Sequence, residues 1–523
     1  MKKSIGTLLG AVVLLFTPTL HSATKVWDDG GLGNNNWSAA VNWAGDVAPV
    51  GGDSITFPST LAGNSHNDLA AGTDIAGIIL AGTNYIIAGN SIDLSSSLLS
   101  SQTTGTNIFS IPLVLATDVL LTVQNAGTFL QINSAGTINT NGFDLIVGGQ
   151  GAAVINSVIS GTGAVVKNGP GFFRLSAANT YSGGTVLNAG ATEVTNTSGS
   201  ATGSGTVSVQ NGAELQGDGI ITGAVTVEAG GEISPGDDEP ALLQVGDLTL
   251  EPSSVFIVQL NGPVPGTEYS GLDVVGSVNI AGAIFRIALG PDLVAGDEFV
   301  IIDNDSSDDV AGTFNGLSEG ETFRVVGIDD IGFKISYSGG DGNDVVLTSI
   351  PTLSINDVQV AEPASGTSTV TFVVTLSEDS DETIEVDYGT AAGTATASAD
   401  YTVATGTLTF SPGTKTQTIQ VTIKSDAIDE GNEEFFMNLF SPTNASIAKD
   451  EGVATILPPG SVVPNPDPSS NPNPNNPNPG FPTARSDGGC SLSASAPSYS
   501  AAWGLGILAL AGLWGMRRAK LRA

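Results

Sequence analysis

The sequence is poor in cysteine, histidine and basic side chains. Cys490 is the only cysteine among 523 residues, so no disulfide can form within the chain. Lysine and arginine total 16 against 52 aspartates and glutamates, which gives a net charge of −36. Because nucleic-acid binding requires basic patches, this balance excludes a nucleic-acid partner. His66 is the only histidine beyond position 23, so any Ser–His or Cys–His pair would have to use it.

The composition also disfavours long helices. Charged residues make up 13% of the chain, whereas glycine alone accounts for 68 residues and Thr, Ser, Val and Asn are abundant. Strand formers punctuated by Gly and Asn are typical of β-structure. We therefore predict an all-β fold, with length for about two to four domains. The acidity suits an extracellular surface and calcium, which prefers carboxylate oxygens.

The N-terminal segment has the order of a secretory signal peptide. Lys2 and Lys3 precede an apolar run over residues 5–16, and the small residues Ser22 and Ala23 offer a cleavage point. This run is short for a membrane span, which favours a signal peptide over an anchor. We therefore assign residues 1–23 to a signal peptide and exclude them from the predicted fold.

The C-terminal end carries a second apolar segment. Residues 501–516 contain no charge, and a basic cluster that begins at Arg517 follows at once. We predict one transmembrane helix over about residues 498–516, with a tryptophan near each end. A cytoplasmic basic cluster would leave the rest of the chain outside. Ahead of this helix, residues 458–487 are rich in Pro and Asn, which predicts a disordered, extended linker.

A short internal repeat lies in the middle of the chain. Residues 205–217 (GTVSVQNGAELQG) and 223–236 (GAVTVEAGGEISPG) align with a period of 18. The aligned pairs are Val207/Val225, Val209/Val227, Gly212/Gly230 and Leu215/Ile233. Upstream, Gly190 aligns with Gly212 and Val194 with Leu215, at a slightly longer spacing. This pattern favours a β-solenoid with stacked rungs, and a sandwich or barrel of hairpins is the alternative.

The segment from 161 to 194 contains a longer motif, with a G-x-G-x-x-x-K-x-G-x-G opening and an N-T-Y-x-G-G-T turn. The matching residues are Gly161, Gly163, Lys167, Gly169, Gly171, Asn179, Tyr181, Gly183, Gly184 and Thr185. This segment resembles the autotransporter-associated β-strand repeat. The resemblance implies a right-handed parallel β-helix over residues 24–350 of an exported passenger. Residues 337–351 resemble the segment that closes such passengers.

The opening of this region is rich in aromatic residues. Trp27, Trp37, Trp43 and Phe57 all fall between positions 24 and 57, directly after the predicted signal peptide. They fit two interpretations, a sugar-binding platform or a cap over the exposed end of the solenoid core, and we favour the cap.

Residues 352–457 differ in character, with longer strands, fewer glycines and clustered acids. Three signatures occur in order, A-S-A-D-Y-T, G-T-L-T-F-x-P-G and D-x-x-x-E-x-x-E-x-F. This stretch resembles a Calx-β domain, which implies a seven-stranded immunoglobulin-like sandwich. Alternating Thr and apolar residues over 369–375 independently predict a half-buried strand.

The Calx-β resemblance also implies calcium ligands. It places these at Glu362, Asp400, Asp426, Glu430 and Glu433, with the backbone carbonyl of Ile428. Carboxylate and carbonyl oxygens gathered at loop tips are the ligands that calcium requires. The family's terminal run of aspartates is replaced here by ATILPPG at 454–460, which predicts one or two weak ions. Two further acidic segments, 303–309 and 339–344, lack the complete loop pattern and are predicted to be solvated turns.

The tail around Cys490 suggests processing. A Gly-Gly-Cys tripeptide, an apolar span and a basic cluster resemble the tripartite sorting tails of Gram-negative bacteria, such as the MYXO and Synerg types. The resemblance implies processing at or near Gly489 and Cys490 by the C-terminal sorting machinery. Residues 488–523 would then anchor the protein to the membrane only transiently, before it reaches the outer surface or the medium.

These features predict an exported structural or adhesive surface protein that binds calcium and has no catalytic activity. Its partner would be a surface glycan or a matrix or cell-surface protein. A polysaccharide-active β-helix enzyme is one alternative, since such folds carry acid pairs in a groove. A non-catalytic carbohydrate-binding module that uses the tryptophans is another.

Overall fold

We describe the fold from a computed structural model of the chain. The structure describes residues 23–463 except Leu32, Ser134, 291–292, Ser306, 326–330 and 426–430. Within this part the chain forms strands and one short 3-10 helix, Ala40–Asn42. No helix among these residues is long and apolar enough to cross a membrane. The predicted signal peptide, most of the predicted linker and the predicted transmembrane helix lie outside the described residues.

Two parallel sheets face each other along most of the chain. Sheet 1 has 16 strands. They are Thr24–Val26, Asp53–Phe57, Thr73–Leu80, Ile92–Ser100, Leu113–Leu115, Val119–Val123, Ile138–Asn139, Leu145–Gly149, Ile159–Ser160, Val165–Lys167, Thr185–Leu187, Val207–Val209, Val225–Val227, Leu248–Leu250, Val278–Ala281 and Ala311–Thr313.

Sheet 2 has 11 strands. They are Gly63–Asn67, Tyr85–Gly89, Thr106–Ser110, Phe129–Ile132, Ala152–Ile155, Phe173–Leu175, Gly190–Val194, Ala213–Gly217, Glu232–Pro235, Val255–Leu260 and Ile284–Leu289. The chain passes back and forth between the sheets, so each rung stacks on the one before it. The predicted β-helix architecture is thus supported, and its right-handed sense stays a prediction.

The predicted repeat register is confirmed at its four aligned pairs. Val207 lies opposite Val225 and Val209 opposite Val227 in sheet 1. Leu215 lies opposite Ile233 in sheet 2, and the N–H of Gly212 donates to the Gly230 carbonyl at 3.0 Å. In the strands Val207–Val209 and Val225–Val227, the first and last residues are buried and the middle residue is partly exposed. The 18-residue period therefore corresponds to one rung.

Both upstream alignments are wrong, because Gly190 pairs with Ala213 rather than Gly212 and Val194 is displaced by two positions. Leu215 pairs with Thr192 rather than Val194, and Val194 pairs with Gly217. The step between these rungs therefore runs from Thr192 to Leu215 and is longer than predicted, because the loop over 195–206 is longer than its counterpart in the next rung. A one-sequence alignment cannot detect a loop insertion of this kind, since both registers keep the apolar alternation.

Stacked glycines let successive rungs approach closely at the corners. A methyl group on Gly183 would overlap the backbone of Gly163, and one on Gly223 would overlap the backbone of Gly205. Neither Gly183 nor Gly223 has a positive φ, so close packing rather than backbone conformation requires glycine here. The glycines of the repeat motif thus serve the spacing between rungs.

The parallel coil does not continue to residue 350 as predicted. Sheet 3 begins with the parallel strands Leu242–Val245, Gly271–Val274 and Glu298–Asn304 and then becomes antiparallel. The antiparallel strands are Thr322–Arg324, Ile331–Gly339 and Asp344–Ile355. A tight turn with φ of 55° at Gly340 and 125° at Gly342 joins the last two. So short a connection cannot return the chain in parallel, which forces a hairpin.

The strand Asp344–Ile355 continues without a break into a second core. Its last residues pair with Thr367–Leu376 and Ser446–Lys449, and Thr416–Lys424 completes this face. The opposite face, sheet 4, contains Val358–Ala361, Ile384–Ala392, Thr405–Phe410, Glu433–Thr443 and Glu451–Leu457. The two faces enclose a core that includes Phe372, Tyr401 and Phe435. The predicted sandwich is therefore present.

The sandwich has nine strand segments where the resemblance implied seven strands. The first strand passes from one sheet to the other at 356–357, and the last does so at Asp450. Asp357 joins the two crossings, because its carboxylate accepts from the Lys449 ammonium at 2.6 Å and from the Val453 N–H at 2.9 Å. These hydrogen bonds lower the pKa of Asp357. Two strands that change sheets account for the difference.

Gly183→Ala should destabilise the solenoid by about 2 kcal/mol, since the added methyl group overlaps the Gly163 backbone. Chemical denaturation of the purified protein measures this change. Gly148→Ala is the matched control, because its methyl group would meet the nearest atoms at 3.8 Å and 4.0 Å. Equal losses in the two variants would contradict the role of close rung packing.

Candidate functional site

Two of the predicted calcium ligands flank one strand end of the sandwich. Glu362 follows the strand Val358–Ala361, and its N–H donates to the Leu457 carbonyl at 2.9 Å. Glu433 opens the neighbouring strand and pairs with Ile456. The strand Glu451–Leu457 lies between them. Both glutamates are therefore at the same end of sheet 4.

Asp400 reaches this end from a loop. It lies between the strands Ile384–Ala392 and Thr405–Phe410 and is 7% exposed. Its Oδ2 accepts from the Thr396 N–H at 2.6 Å and from the Thr396 hydroxyl at 2.9 Å. One carboxylate oxygen of Asp400 therefore shapes its own loop.

The remaining predicted ligands, Asp426, Ile428 and Glu430, lie outside the described residues. The chain on both sides of them is at the same end of the sandwich. The Lys424 N–H donates to the Asp400 carbonyl at 2.8 Å, and the strand Glu433–Thr443 begins just after the segment. The segment 425–432 therefore connects Lys424, which contacts Asp400, to Glu433.

The chemistry of this end fits calcium, with one feature that opposes it. The predicted side-chain ligands are all carboxylates, as a hard divalent cation requires. However, the Lys424 ammonium donates to the Ser398 carbonyl at 2.9 Å, which puts a positive charge on the Asp400 loop. Among residues that the structure describes, no three His, Cys, Asp or Glu side chains are arranged to hold a metal ion. A complete site therefore needs ligands from 426–430.

The site lies at the end of the sandwich away from the solenoid. Thr367 pairs with Lys424 near the site, whereas Leu376, at the other end of the same strand, pairs with Leu353. Beyond Leu376, the Glu378 carboxylate accepts from the Ala295 N–H of the solenoid region at 3.0 Å. The predicted site is therefore about one strand length from this junction.

The two other acidic segments are not simply solvated turns. They meet, since the Asn304 N–H donates to Asp344 Oδ1 at 2.9 Å and Asn343 Nδ2 donates to the Asn304 carbonyl at 3.0 Å. Asn304 and Asp344 are buried, whereas Asp303 and Asp341 are exposed. The solvated-turn prediction is wrong for the buried residues, which hold the closing hairpin against its neighbouring strand. Segments so far apart in sequence give no local signal of this contact.

The N-terminal aromatic residues form a buried cluster. Trp27, Trp37 and Trp43 are at most 2% exposed, and each packs within 6.4 Å of Phe57 between ring centroids. The Trp37 indole donates to the Ser65 hydroxyl at 2.6 Å and the Trp43 indole to the Trp37 carbonyl at 2.8 Å. Buried rings cannot stack on a sugar, so the interpretation as a cap holds and the platform is excluded.

The polar residues of the repeat motif connect rungs. Asn179 accepts from the Ile159 N–H at 2.7 Å and donates to the Ala201 carbonyl at 2.5 Å, which links three rungs. The Lys167 ammonium is buried and donates to the carbonyls of Gly169 and Ala189. The roles of this motif are therefore structural.

A row of carboxylates on the outer face of sheet 2 was not predicted. Glu214 lies opposite Glu232, and Glu193 is one strand away. Burial, followed by the charge of Glu214, raises the pKa of Glu232. Arg286 contacts Glu232 at 3.4 Å and Arg174 contacts Glu193 at 2.5 Å. The 18-residue repeat itself aligns Glu214 with Glu232, so the sequence held a signal for this pair.

Ser38 lies on the segment whose Asn36 pairs with His66, but its hydroxyl does not form a catalytic pair with this histidine. The Ser38 hydroxyl donates to Asp68 Oδ2 at 2.5 Å, and the Ser38 N–H donates to Asp68 Oδ1 at 2.7 Å. A nucleophilic serine would instead donate its proton to the histidine. Ser38 and Asp68 therefore stabilise the turn at the N-terminal end of the solenoid.

Of the predicted processing residues, only Ala23 lies within the described residues. Its N–H donates to Asp53 Oδ1 at 3.0 Å, and its carbonyl accepts from the Ser54 N–H at 2.9 Å. Gly489 and Cys490 lie outside the described residues.

Two segments match known families. Residues 348–458 match the Calx-beta domain, and residues 165–194 match the passenger-associated-transport-repeat. The first match agrees with the predicted sandwich, and the second falls within the predicted repeat motif. Together they cover less than half of the chain.

A curated relative shares part of the sequence. The Adhesin BmaC autotransporter of Brucella suis biovar 1 (strain 1330) is 24% identical over 229 residues, which are 44% of this chain and 6% of the relative. The chain therefore spans a small fraction of the length of the curated relative that it matches.

Solved structures of Calx domains also resemble the chain. The apo-form Calx CBD1 domain is 26% identical and covers 21% of this chain and 97% of its own, with a TM-score of 0.19. CBD12 from CALX1.2 is 25% identical and covers 20% of this chain and 45% of its own, also with a TM-score of 0.19. At these TM-scores neither likeness supports a conclusion about this chain.

Lys167 should give the protein a stability that rises with pH above 8. Burial lowers the pKa of Lys167 from 10.5 to about 8, so the unfolded chain holds the proton more tightly than the folded one. Between pH 8 and 10.5 the unfolded state therefore carries more protons, and the contribution of this lysine to folding rises with pH. The total is at most about 3 kcal/mol.

Denaturation of the wild type and of Lys167→Met at pH 7.5 to 10.5 measures this effect. The difference in their free energies of unfolding should shift in favour of the wild type as the pH rises. The exposed Lys415 supplies the control, since Lys415→Met reports the effect of net charge alone. A Lys167→Met difference that does not change with pH would contradict the expected protonation.

Proposed function

We propose that this chain is an exported surface protein of the adhesion type, in which a β-solenoid carries a calcium-binding sandwich. The observation that carries the proposal is the placement of Glu362, Asp400 and Glu433 at one end of the sandwich. This sandwich lies within the segment that matches the Calx-beta domain. The similarity to an autotransporter adhesin supports the surface role.

Calcium would act here as a structural ion. Asp426, Glu430 and the Ile428 carbonyl would complete the ligand set with the three carboxylates already at this end. The ion would supply positive charge among acidic side chains and oxygen coordination for loops that come from different strands. Glu362, Glu433 and Asp400 belong to separate segments of the chain, so an ion bound by all three would tie these segments together.

The two chain ends support an exported location. We propose that the signal peptide at 1–23 directs export and that the linker at 458–487 separates the sandwich from the membrane. The segment 498–516 would hold the protein in the membrane until processing near Gly489 and Cys490 releases it to the outer surface of a Gram-negative envelope. There it would bind a surface glycan or a matrix or cell-surface protein.

Calcium titration of the full chain by calorimetry should show binding with a Kd of about 0.1–1 mM, as for extracellular modules. Asp400→Asn and Glu433→Gln should each weaken binding by about tenfold, since each removes one carboxylate charge. Asn at position 400 keeps an oxygen that accepts from Thr396, so the loop is retained.

Glu385→Gln is the matched control for this titration. Glu385 is an exposed acid near the start of the strand Ile384–Ala392, whose last residue pairs with Phe435 near the site. The variant Glu385→Gln should leave the calcium affinity unchanged. Absence of heat at about 10 mM calcium, or equal weakening by Glu385→Gln, would overturn the calcium assignment. The full chain is required, because a cut at residue 350 would divide the strand Asp344–Ile355.

Mass spectrometry of the protein recovered from the cell surface should show a mature C-terminus close to Cys490. Cys490→Ser should prevent processing and leave the basic end in place, because a serine hydroxyl is a far weaker nucleophile than a thiolate. A wild-type surface protein that retains Arg517 to Ala523 would contradict processing.

A further inference from the structure

Four Asn-Gly pairs occur in the sequence, and the structure holds them differently. They lie at 141–142, 211–212, 261–262 and 315–316. In such a pair the side-chain amide carbon of the asparagine lies close to the backbone nitrogen of the glycine, and the glycine has no side chain to hinder their approach. Attack of this nitrogen on the amide carbon closes a five-membered ring. The surroundings of each pair therefore decide whether it can react.

Two of these pairs occupy turns of the same kind. In each turn the N–H of the fourth residue donates to the carbonyl of the first, at 2.9 Å in the turn 210–213 and at 3.1 Å in the turn 314–317. The third residue is a glycine with a positive φ, of 80° at Gly212 and 77° at Gly316. The asparagine and the glycine are exposed in both turns. The two pairs therefore share sequence, turn hydrogen bond, exposure and glycine conformation.

The two turns differ in what stacks on them. The Gly212 N–H donates to the Gly230 carbonyl of the next rung at 3.0 Å. The turn 314–317 follows Ala311–Thr313, which is the last strand of sheet 1 in the described part of the chain. Among the described residues, no backbone carbonyl accepts from the Gly316 N–H. The end of the parallel coil therefore leaves this nitrogen without the partner that a following rung supplies elsewhere.

We propose that Asn315 and Gly316 form a site of spontaneous covalent modification, at which the asparagine becomes isoaspartate or aspartate. The Gly316 nitrogen gives its proton to solvent and bonds to Asn315 Cγ. The bond from Cγ to the side-chain nitrogen breaks, and ammonia leaves with a proton from solvent. Water then opens the ring, at the backbone carbonyl to give isoaspartate or at the side-chain carbonyl to give aspartate. The inference goes beyond the proposed surface role and does not depend on calcium.

The other two pairs are held in ways that oppose this reaction. Asn141 Nδ2 donates to the Leu115 carbonyl of another strand at 3.3 Å, which restrains the amide that would have to react. Gly262 is buried, which keeps solvent water from its nitrogen. Within the described part of the chain, only the pair at 315–316 combines an exposed amide and a glycine N–H that both lack a hydrogen-bond partner.

The modification would disturb the core below this turn. Phe314 and Leu317 are buried on either side of the pair. The Tyr337 hydroxyl joins them, because it accepts from the Phe314 N–H at 3.0 Å and donates to the Leu317 carbonyl at 2.8 Å. Isoaspartate adds one carbon to the backbone between Phe314 and Leu317, so their spacing no longer matches the two hydrogen bonds of Tyr337. The modified chain should therefore open first at this corner of the solenoid.

Incubation of the purified full chain at mildly alkaline pH, followed by digestion and mass spectrometry, tests this assignment. Both products carry the mass of an acid in place of an amide, and fragmentation of the peptide distinguishes isoaspartate from aspartate. Asn315 should be modified about fivefold faster than Asn211 or more, because the Gly212 nitrogen must first break a hydrogen bond of ordinary strength. The denatured chain is the control. Without the turns and rungs, the two pairs should react at similar rates.

The variant Asn315→Gln is the second control. It keeps an exposed amide, but its longer side chain would have to close a six-membered ring, which forms far more slowly. The variant should show no product at position 315 and an unchanged rate at Asn211. On limited proteolysis, incubated wild type should be cut near Tyr337 sooner than fresh protein, whereas Asn315→Gln should not change with incubation. Equal rates at Asn315 and Asn211 in the folded chain, or an unmodified Asn315 where the denatured chain reacts, would overturn the proposal.

Discussion

Backbone contact between successive rungs is the constraint on which the solenoid depends. Each short strand forms its ladder hydrogen bonds with the strands before and after it, and the corners must follow at the same spacing. Glycine at positions such as 163 and 183 permits this approach, because a side chain there would overlap the neighbouring backbone. Asn179 supplies hydrogen bonds where the chain turns, to backbone groups of the rungs on both sides. A chain with a single cysteine can be built this way without cross-links.

The strand Asp344–Ile355 joins the solenoid to the sandwich. Its first half completes the closing hairpin, and its second half belongs to the sandwich core. Gly332 packs against the Ser446 side chain across this junction, and the Ala295 N–H donates to Glu378. With a continuous strand and flanking contacts, the junction has no linker. The predicted ion lies at the other end of the sandwich. It would therefore order the end at which the last strand, Glu451–Leu457, leads to residue 458.

Different parts of the surface compensate their carboxylates in different ways. Several of the few cations are paired with acids that would otherwise be partly buried and uncompensated, as Arg174 is with Glu193 and Arg286 with Glu232. The proposed calcium site would compensate further carboxylates at the end of the sandwich.

Local sequence determined the all-β class and the rung register over 207–233, since apolar alternation and glycine spacing are local properties. The resemblance to the Calx-β domain indicated the sandwich and its residues. Local sequence also identified the tryptophan cap, because four large aromatic residues near the first rung need burial. Tertiary structure alone decided the shift of Val194, the early end of the parallel coil and the meeting of Asn304 with Asp344. A longer loop, a hairpin turn and a contact between distant segments caused these differences, and none alters the local pattern. The predicted calcium ligands fall between these two cases. The resemblance indicated which residues they are, but only the tertiary structure shows that Glu362, Asp400 and Glu433 share one end of the sandwich.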